Sequence, residues 1–338
     1  MTRKLRIVAG TELRSNVNFW AAGTATYVEG IDAIMVSFAE IVSRKWKSTR
    51  DNPADLKGHL GFNGEVFLDN GCYTLLRKGQ EPSVKDYVRF IKEAKPDWFP
   101  VPIDYVPSPS SSLREARQLA ERTARMNEEY GPLGFVPVVH IGPHFMKFFE
   151  LTVRTLSPSR IAIGGIVPYV QYSRGAKTRF PLELLAKARR SFGGQLHIFG
   201  FGGGITSLHI AAALSIDSTD SCSWRVRAAR GLIMVPGRGE RAVRDFRSRK
   251  DRILSLEDLL ALKKCRCAPC KVDGINALEM TGQPGFQHRA IHNLSVLSHE
   301  SKLLNEHRGR NLKAWSLSRL NNSQRRFLLE YAFKLAEV

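Results

Sequence analysis

The chain has 338 residues, 43% of them hydrophobic, which is enough to bury a large core. No apolar run approaches the roughly 20 residues that a membrane span needs, and the opening Met1-Thr2-Arg3-Lys4-Leu5 lacks the apolar stretch of a signal peptide. Fifty-one basic against 32 acidic residues give a net charge of +19. So large an excess costs self-repulsion and is best explained by a polyanionic partner, nucleic acid before a merely solvated surface.

From the first residues, short apolar runs alternate with amphipathic ones. Segments 5–9, 33–38, 66–69, 98–103, 135–140, 160–164, 196–201 and 215–218 read as strands. Between them, Val84, Tyr87, Val88, Ile91 and Ala94 follow a helical spacing. So do Leu113, Ala116, Ala120, Thr123 and Asn127, and again Leu182, Leu185, Ala186 and Arg189. Ser108 to Ser112 reads as a loop that ends in a helix N-cap. Alternation of this kind predicts a parallel sheet, and eight strands predict an α/β (β/α)8 TIM-type barrel over residues 1–254.

Basic residues concentrate between Arg225 and Arg252, with smaller clusters at 44–47 and 308–313. Beyond Arg252, Ser255-Leu256-Glu257-Asp258 reads as a capped helix start that opens a separate unit over residues 255–338. It contains Cys265, Cys267 and Cys270, and His292 follows 22 residues after the last of them. Three thiolates and an imidazole fill the four positions of a tetrahedral zinc and leave none for substrate, so a structural Zn2+ is expected. His288 is the alternative fourth ligand; His292 is preferred because it opens the apolar run Ile291 to Leu294. The two other cysteines, Cys72 and Cys222, do not suggest a disulfide scaffold, and a cytoplasmic location is expected.

In a barrel of this type, chemistry sits at the carboxyl ends of the strands and in the loops that follow. Three carboxylates fall there, Asp69, Asp104 and Asp220, beside His140, Gly164-Gly165-Ile166 and Phe199-Gly200-Phe201-Gly202. Any one aspartate alone is equally a helix cap or turn residue, and several together are equally a magnesium site. Tyr73, Phe199 and the glycine pair favour a planar base over a metal-bound phosphate.

The stretches Leu68-Asp69-Asn70-Gly71-Cys72-Tyr73, Ile103-Asp104, Ile163 to Ile166, His197 to Gly202, Asp217 to Asp220 and Arg230-Gly231, completed by the cysteines and Ile291 to Leu294, follow one another in a telling order. Together they resemble the tRNA-guanine transglycosylase superfamily, and within it the DNA-modifying branch DpdA. That resemblance implies a zinc-bearing barrel in which Asp220 is the nucleophile on C1′ of the sugar. It implies Asp69 as general acid and base and Asp104 as reader of the guanine edge. Gly164, Gly165 and Ile166 would contact the base, Tyr73 and Phe199 would sandwich it, and His140 stands where tRNA enzymes usually carry glutamine. Arg225, Arg227 and Arg230 would meet nucleic acid.

Several departures move the expected substrate from tRNA to DNA: His140, Phe199 in place of methionine, Ser221 between Asp220 and Cys222, and the absence of an appended RNA-binding domain. The expected activity is a pentosyl transfer that replaces guanine in DNA by a 7-deazaguanine base, the 7-cyano form. Acting on tRNA is the alternative, and an inactive nucleic-acid-binding module is the third reading. A helicase or ATPase partner and a homodimer stay open.

Overall fold

The computed structural model describes residues 4–12, 17–43, 55–171, 178–243, 253–309, 311–323 and 325–337. The first half of the chain runs β1 (Arg6–Gly10), β2 (Ala33–Ser37), α1 (Phe38–Ser43), α2 (Leu56–Leu60), β3 (Glu65–Asp69), α3 (Cys72–Arg77), α4 (Val84–Ala94) and α5 (Leu113–Tyr130). It continues with β4 (Val138–His140), α6 (Phe145–Leu156), β5 (Arg160–Gly164), α7 (Val167–Gln171), α8 (Arg179–Ser191), β6 (Gln195–Ile198), α9 (Ile205–Ala213), β7 (Ser218–Ser221) and α10 (Ser223–Ala229). The remainder is a hairpin, β8 (Leu232–Val235) and β9 (Gly239–Ala242), then α11 (Leu256–Lys263), α12 (Ala268–Glu279), α13 (Gly282–Glu306), α14 (Leu312–Arg319) and α15 (Arg326–Glu337).

β1 to β7 form one parallel, curled sheet of seven strands in the order β3-β2-β1-β7-β6-β5-β4. Its strands are buried on both faces, as strands covered by crossover helices must be. The amphipathic segments are helices where their spacing predicts them. α4 is capped by Ser83, whose Oγ accepts from Asp86 N at 3.2 Å, and α5 by Ser112, which accepts from Glu115 N at 3.1 Å. At α11, Ser255 and Asp258 form the reciprocal capping box that their spacing predicts.

Two strand expectations are corrected. Segment 98–103 makes only isolated parallel bridges, Phe67 to Trp98 and Pro100 to Val136, instead of a ladder. Pro100 and Pro102 lack the N–H that a continuous ladder requires. The last strand of the sheet is 218–221 rather than 215–218. Ser215 adopts a left-handed φ of 54° that ends the turn after α9, so pairing begins three residues later. Asp220 therefore lies within β7, opposite Val8 of β1, and not in a loop.

The C-terminal helices share the sheet's core. Ala290, Ile291, Leu294 and Leu297 of α13, with Leu328, Leu329 and Phe333 of α15, belong to the same buried cluster as β1, β2 and β6. A smaller cluster joins Ile233 and Val235 of the hairpin to Leu262 of α11 and Leu278 of α12. Asn293 stitches the two together: its Nδ2 donates to Trp224 O and Leu232 O, each at 3.1 Å, and its Oδ1 accepts from Met234 N at 2.7 Å. Among the described residues, no helix is long and apolar enough to cross a membrane.

Candidate functional site

The carboxyl ends of β3 and β7 and the segment after Val101 converge. Asp69 closes β3, where parallel register sets it beside Ser37 of β2. Ser37 Oγ donates to Asp69 Oδ2 at 2.8 Å, and Gly71 N reaches the same oxygen at 3.1 Å. Gly71 has φ 75° and its α-carbon faces Ala39, whose N lies 2.4 Å from where a Cβ would stand, so glycine is required at this turn. Burial, with the charges of Asp104 and Asp220 nearby, raises the Asp69 carboxyl from the ordinary 3.8 to about 7. The two hydrogen bonds oppose that rise without cancelling it.

Asp104 behaves in the opposite sense. Burial works against its charge, yet the His140 imidazole beside it and a hydrogen bond from Asn70 hold it below the usual carboxylate range. His140 Nε2 lies 2.8 Å from Oδ2, and Asn70 Nδ2 donates to Oδ1 at 2.8 Å. Asn70 is itself fixed, donating to Val101 O at 2.9 Å and accepting from Cys72 N at 3.0 Å. The His140 ring packs on Gly164, where a Cβ would come within 2.5 Å of Nδ1. One carboxyl is thus poised to hold a proton near neutrality while its neighbour stays ionised, an arrangement suited to acid–base work beside an anionic recognition group.

Asp220 is oriented by the turn after β6: Gly200 N donates to its Oδ1 at 2.7 Å, and Gly202 N donates to its backbone O at 3.0 Å. That turn is held from below by Ser223, whose Oγ donates to Gly203 O at 2.8 Å, and by Arg227, which donates to the same carbonyl. Phe199 is half-buried at this end, Tyr73 is exposed under the Arg77 guanidinium, and Ile166 is buried in the core. Cys72 is buried, and burial together with Asp104 pushes its thiol far above the thiol range, which removes it as a nucleophile.

The basic stretch divides. Arg225 pairs with Glu12 at 3.4 Å, and Arg227 with Glu240 at 2.7 Å. Arg238 and Arg241 both grip the buried Asp258, at 2.6 and 2.7 Å, and so tie the hairpin to α11. Arg230 is exposed. The basic residues at 44, 45 and 47, and those at 244, 247, 249, 250 and 252, lie outside the described residues.

Cys265, Cys267, Cys270 and His292 come together with all four ligand atoms within 4.8 Å of one another. The His292 Nδ1 to sulfur distances are 3.7, 3.3 and 3.4 Å. Tetrahedral bonds of the usual zinc–sulfur and zinc–nitrogen lengths would separate such atoms by about 3.6 Å. His292 Nε2 donates to Met234 O at 2.8 Å, so that the neutral ring presents its Nδ1 lone pair to the thiols. His288 is outside the group, its Nδ1 3.0 Å from Ala277 O. The donor set fits a closed metal site.

No protein-family model matches the chain, and no curated protein matches it.

Asn70, Ser37 and His197 touch the carboxylates without standing out in the sequence. Ser37 and His197 act across strand partners that only the folded register brings together. Asn70 had a readable signal, a buried amide placed directly after Asp69.

Proposed function

We propose that the chain is a guanine transglycosylase that exchanges guanine in DNA for a 7-deazaguanine base, the 7-cyano form, through a covalent link between Asp220 and C1′ of the target deoxyribose. The observation that carries this reading is the opposed proton affinity of neighbouring carboxyls: Asp69 at about 7 and Asp104 below the usual range, next to Asp220. On this reading the curled sheet is a (β/α)8 barrel with 98–103 as its fourth stave, supported by the bridges that link Trp98 to β3 and Pro100 to Val136.

The reaction is a double displacement. An Asp220 carboxylate oxygen attacks C1′ as the C1′–N9 bond breaks, and its electron pair goes to the departing guanine, which takes a proton from Asp69. The incoming 7-deazaguanine gives its ring proton to the Asp69 carboxylate and attacks C1′, and the pair of the C1′–O bond returns to Asp220. One nucleophile used twice retains configuration, and one group near neutrality serves in both directions. Asp104, kept ionised, accepts from the ring N–H and exocyclic amine of a guanine-like edge, a donor pair that adenine lacks. Tyr73 and Phe199 offer the flat surfaces for a base extruded from its stack, a step that costs a few kcal/mol.

In the quartet Cys265, Cys267, Cys270 and His292 we propose a structural Zn2+, which supplies only cross-linking when bound. The charge of +19 and exposed Arg230 support a nucleic-acid partner. Incubation with labelled guanine and either duplex DNA, single-stranded DNA or tRNA tests the reading. Label entering DNA, with a denaturation-resistant protein–DNA adduct absent in Asp220→Ala, is expected. Label entering tRNA alone would move the substrate to tRNA. Salt-dependent binding with exchange into neither would leave an inactive binding module.

A further inference from the structure

His197 forms the floor beneath Asp220. Its ring is buried among Phe67, Trp98 and Phe199, at centroid distances of 5.6, 5.0 and 5.1 Å. Nδ1 lies 2.9 Å from Ser218 Oγ, two residues before Asp220 on the same strand. Nε2 lies 3.4 Å from Asp220 Oδ1 without closing a hydrogen bond to it, and this buried atom has no hydrogen-bond partner among the described residues. The Ser218 hydroxyl can turn its hydrogen onto Nδ1, which leaves the hydrogen of the neutral ring on Nε2, facing the carboxylate. Below this floor a cavity of about 2160 Å³ opens at the amino ends of the strands, with His197, Trp98 and Ser218 in its wall. The imidazole therefore separates that hollow from the carboxylates above it.

We infer that His197 is a positioning residue for the nucleophilic carboxylate, and that it reserves Oδ2 of Asp220 for the bond to C1′. The inference rests on Asp220 being the nucleophile, as proposed above. Oδ1 accepts from Gly200 N at 2.7 Å and has the unpartnered His197 Nε2 3.4 Å away, close enough to donate after a small shift, and neither of these contacts engages Oδ2. The consequence differs between the two displacements. When Oδ2 attacks C1′, charge leaves the carboxylate, so a donor on Oδ1 gives that step orientation but no charge stabilisation. When the incoming base attacks, the C1′–Oδ2 bond breaks, its pair returns to the carboxylate, and charge reappears on Oδ1 in front of both donors. Preorganised donors act most strongly where charge develops. His197 thus favours release of the sugar from Asp220 over its capture.

The test uses the full chain, a guanine-containing DNA oligonucleotide and 7-cyano-7-deazaguanine, with adduct and exchange measured in parallel. In His197→Phe, which fills the aromatic cage but donates nothing, exchange should fall by about 100-fold, the order lost when one donor of an anion-stabilising site is removed. The adducted fraction should rise at the same time. His197→Gln, whose amide can present an N–H near the position of Nε2, should recover much of the exchange, and Ser218→Ala should fall between the two. A merely structural role would lower adduct and exchange together and leave Gln no better than Phe; that result, or unchanged exchange in His197→Phe, overturns the inference. Wild-type protein that forms no adduct and exchanges no base would overturn the transglycosylase reading itself, and this inference with it.

Discussion

His140 Nε2 and Asn70 Nδ2 stand at equal distances, 2.8 Å, from the two oxygens of Asp104, so each oxygen of this buried carboxylate has its own partner. Both are held in turn: Asn70 by Val101 O and Cys72 N, and His140 by its seat on Gly164. The pair keeps Asp104 ionised in a place where burial alone would neutralise it.

Removing His140 should therefore expose that conflict. A folded value below the unfolded one means that Asp104 contributes stability above the unfolded value, and that this is lost as pH falls through the folded value. His140→Ala should cost about 3 kcal/mol at neutral pH, as for other buried pairs broken on one side, and much less near pH 3. His140→Gln, which keeps a donor, should cost less. Urea denaturation at the two pH values measures both, and equal losses at both would remove Asp104 as the cause.

Asp69 carries the opposite sign. Its carboxyl is raised by burial and by Asp104 and Asp220 to about 7, so the folded protein holds a proton there that the unfolded chain has already lost. Stability should fall as pH rises from about 4 to about 7, the window between those two values. Asp69→Asn abolishes the ionisation. It should melt above the wild type at pH 8, match it near pH 4, and exchange no base, a case in which a catalytic group works against the fold that holds it. Melting curves across pH decide the stability part without any substrate.

The metal quartet yields a test independent of activity. Cys267→Ser removes a buried ligand, and metal content by atomic emission should fall together with a large drop in melting temperature, because the free energy of a structural zinc site is folding free energy. His288→Ala should retain full metal, since His288 faces Ala277 O. Retention of metal in Cys267→Ser would contradict the ligand set.

The features legible in the sequence are those whose cause is local. The helical spacings of α4 and α5, the caps at Ser112 and Ser255, and the ligand types of the quartet all act within a few turns or through unmistakable chemistry. β7 was hidden because Ser218-Thr219-Asp220-Ser221 has no apolar run, and it pairs only because β1 and β6 flank it. The hairpin β8–β9 was masked by its arginines, although Val235-Pro236-Gly237-Arg238-Gly239 carries the turn residues that join it. Ser37 and His197 reach the carboxylates through strand register and three-dimensional proximity, which composition and periodicity do not encode.

That distinction applies also to the arginines, which the sequence presents as one basic stretch. Arg230 is exposed, whereas Arg227 is committed to Glu240 and to the carbonyl of Gly203, beside the turn that orients Asp220. The two should therefore fail differently. Arg230→Ala should weaken DNA binding alike on all sequences and lower the slope of log affinity against log salt by about 1, as loss of one phosphate contact does. It should leave exchange at saturating DNA unchanged. Arg227→Ala frees the Gly202 to Gly204 turn and with it the N–H groups that hold Asp220, so exchange at saturating DNA should drop while the salt slope stays at the wild-type value. Binding titrations over a range of salt, paired with exchange at saturation, separate the two effects. A reduced salt slope in Arg227→Ala would return that side chain to the nucleic-acid surface.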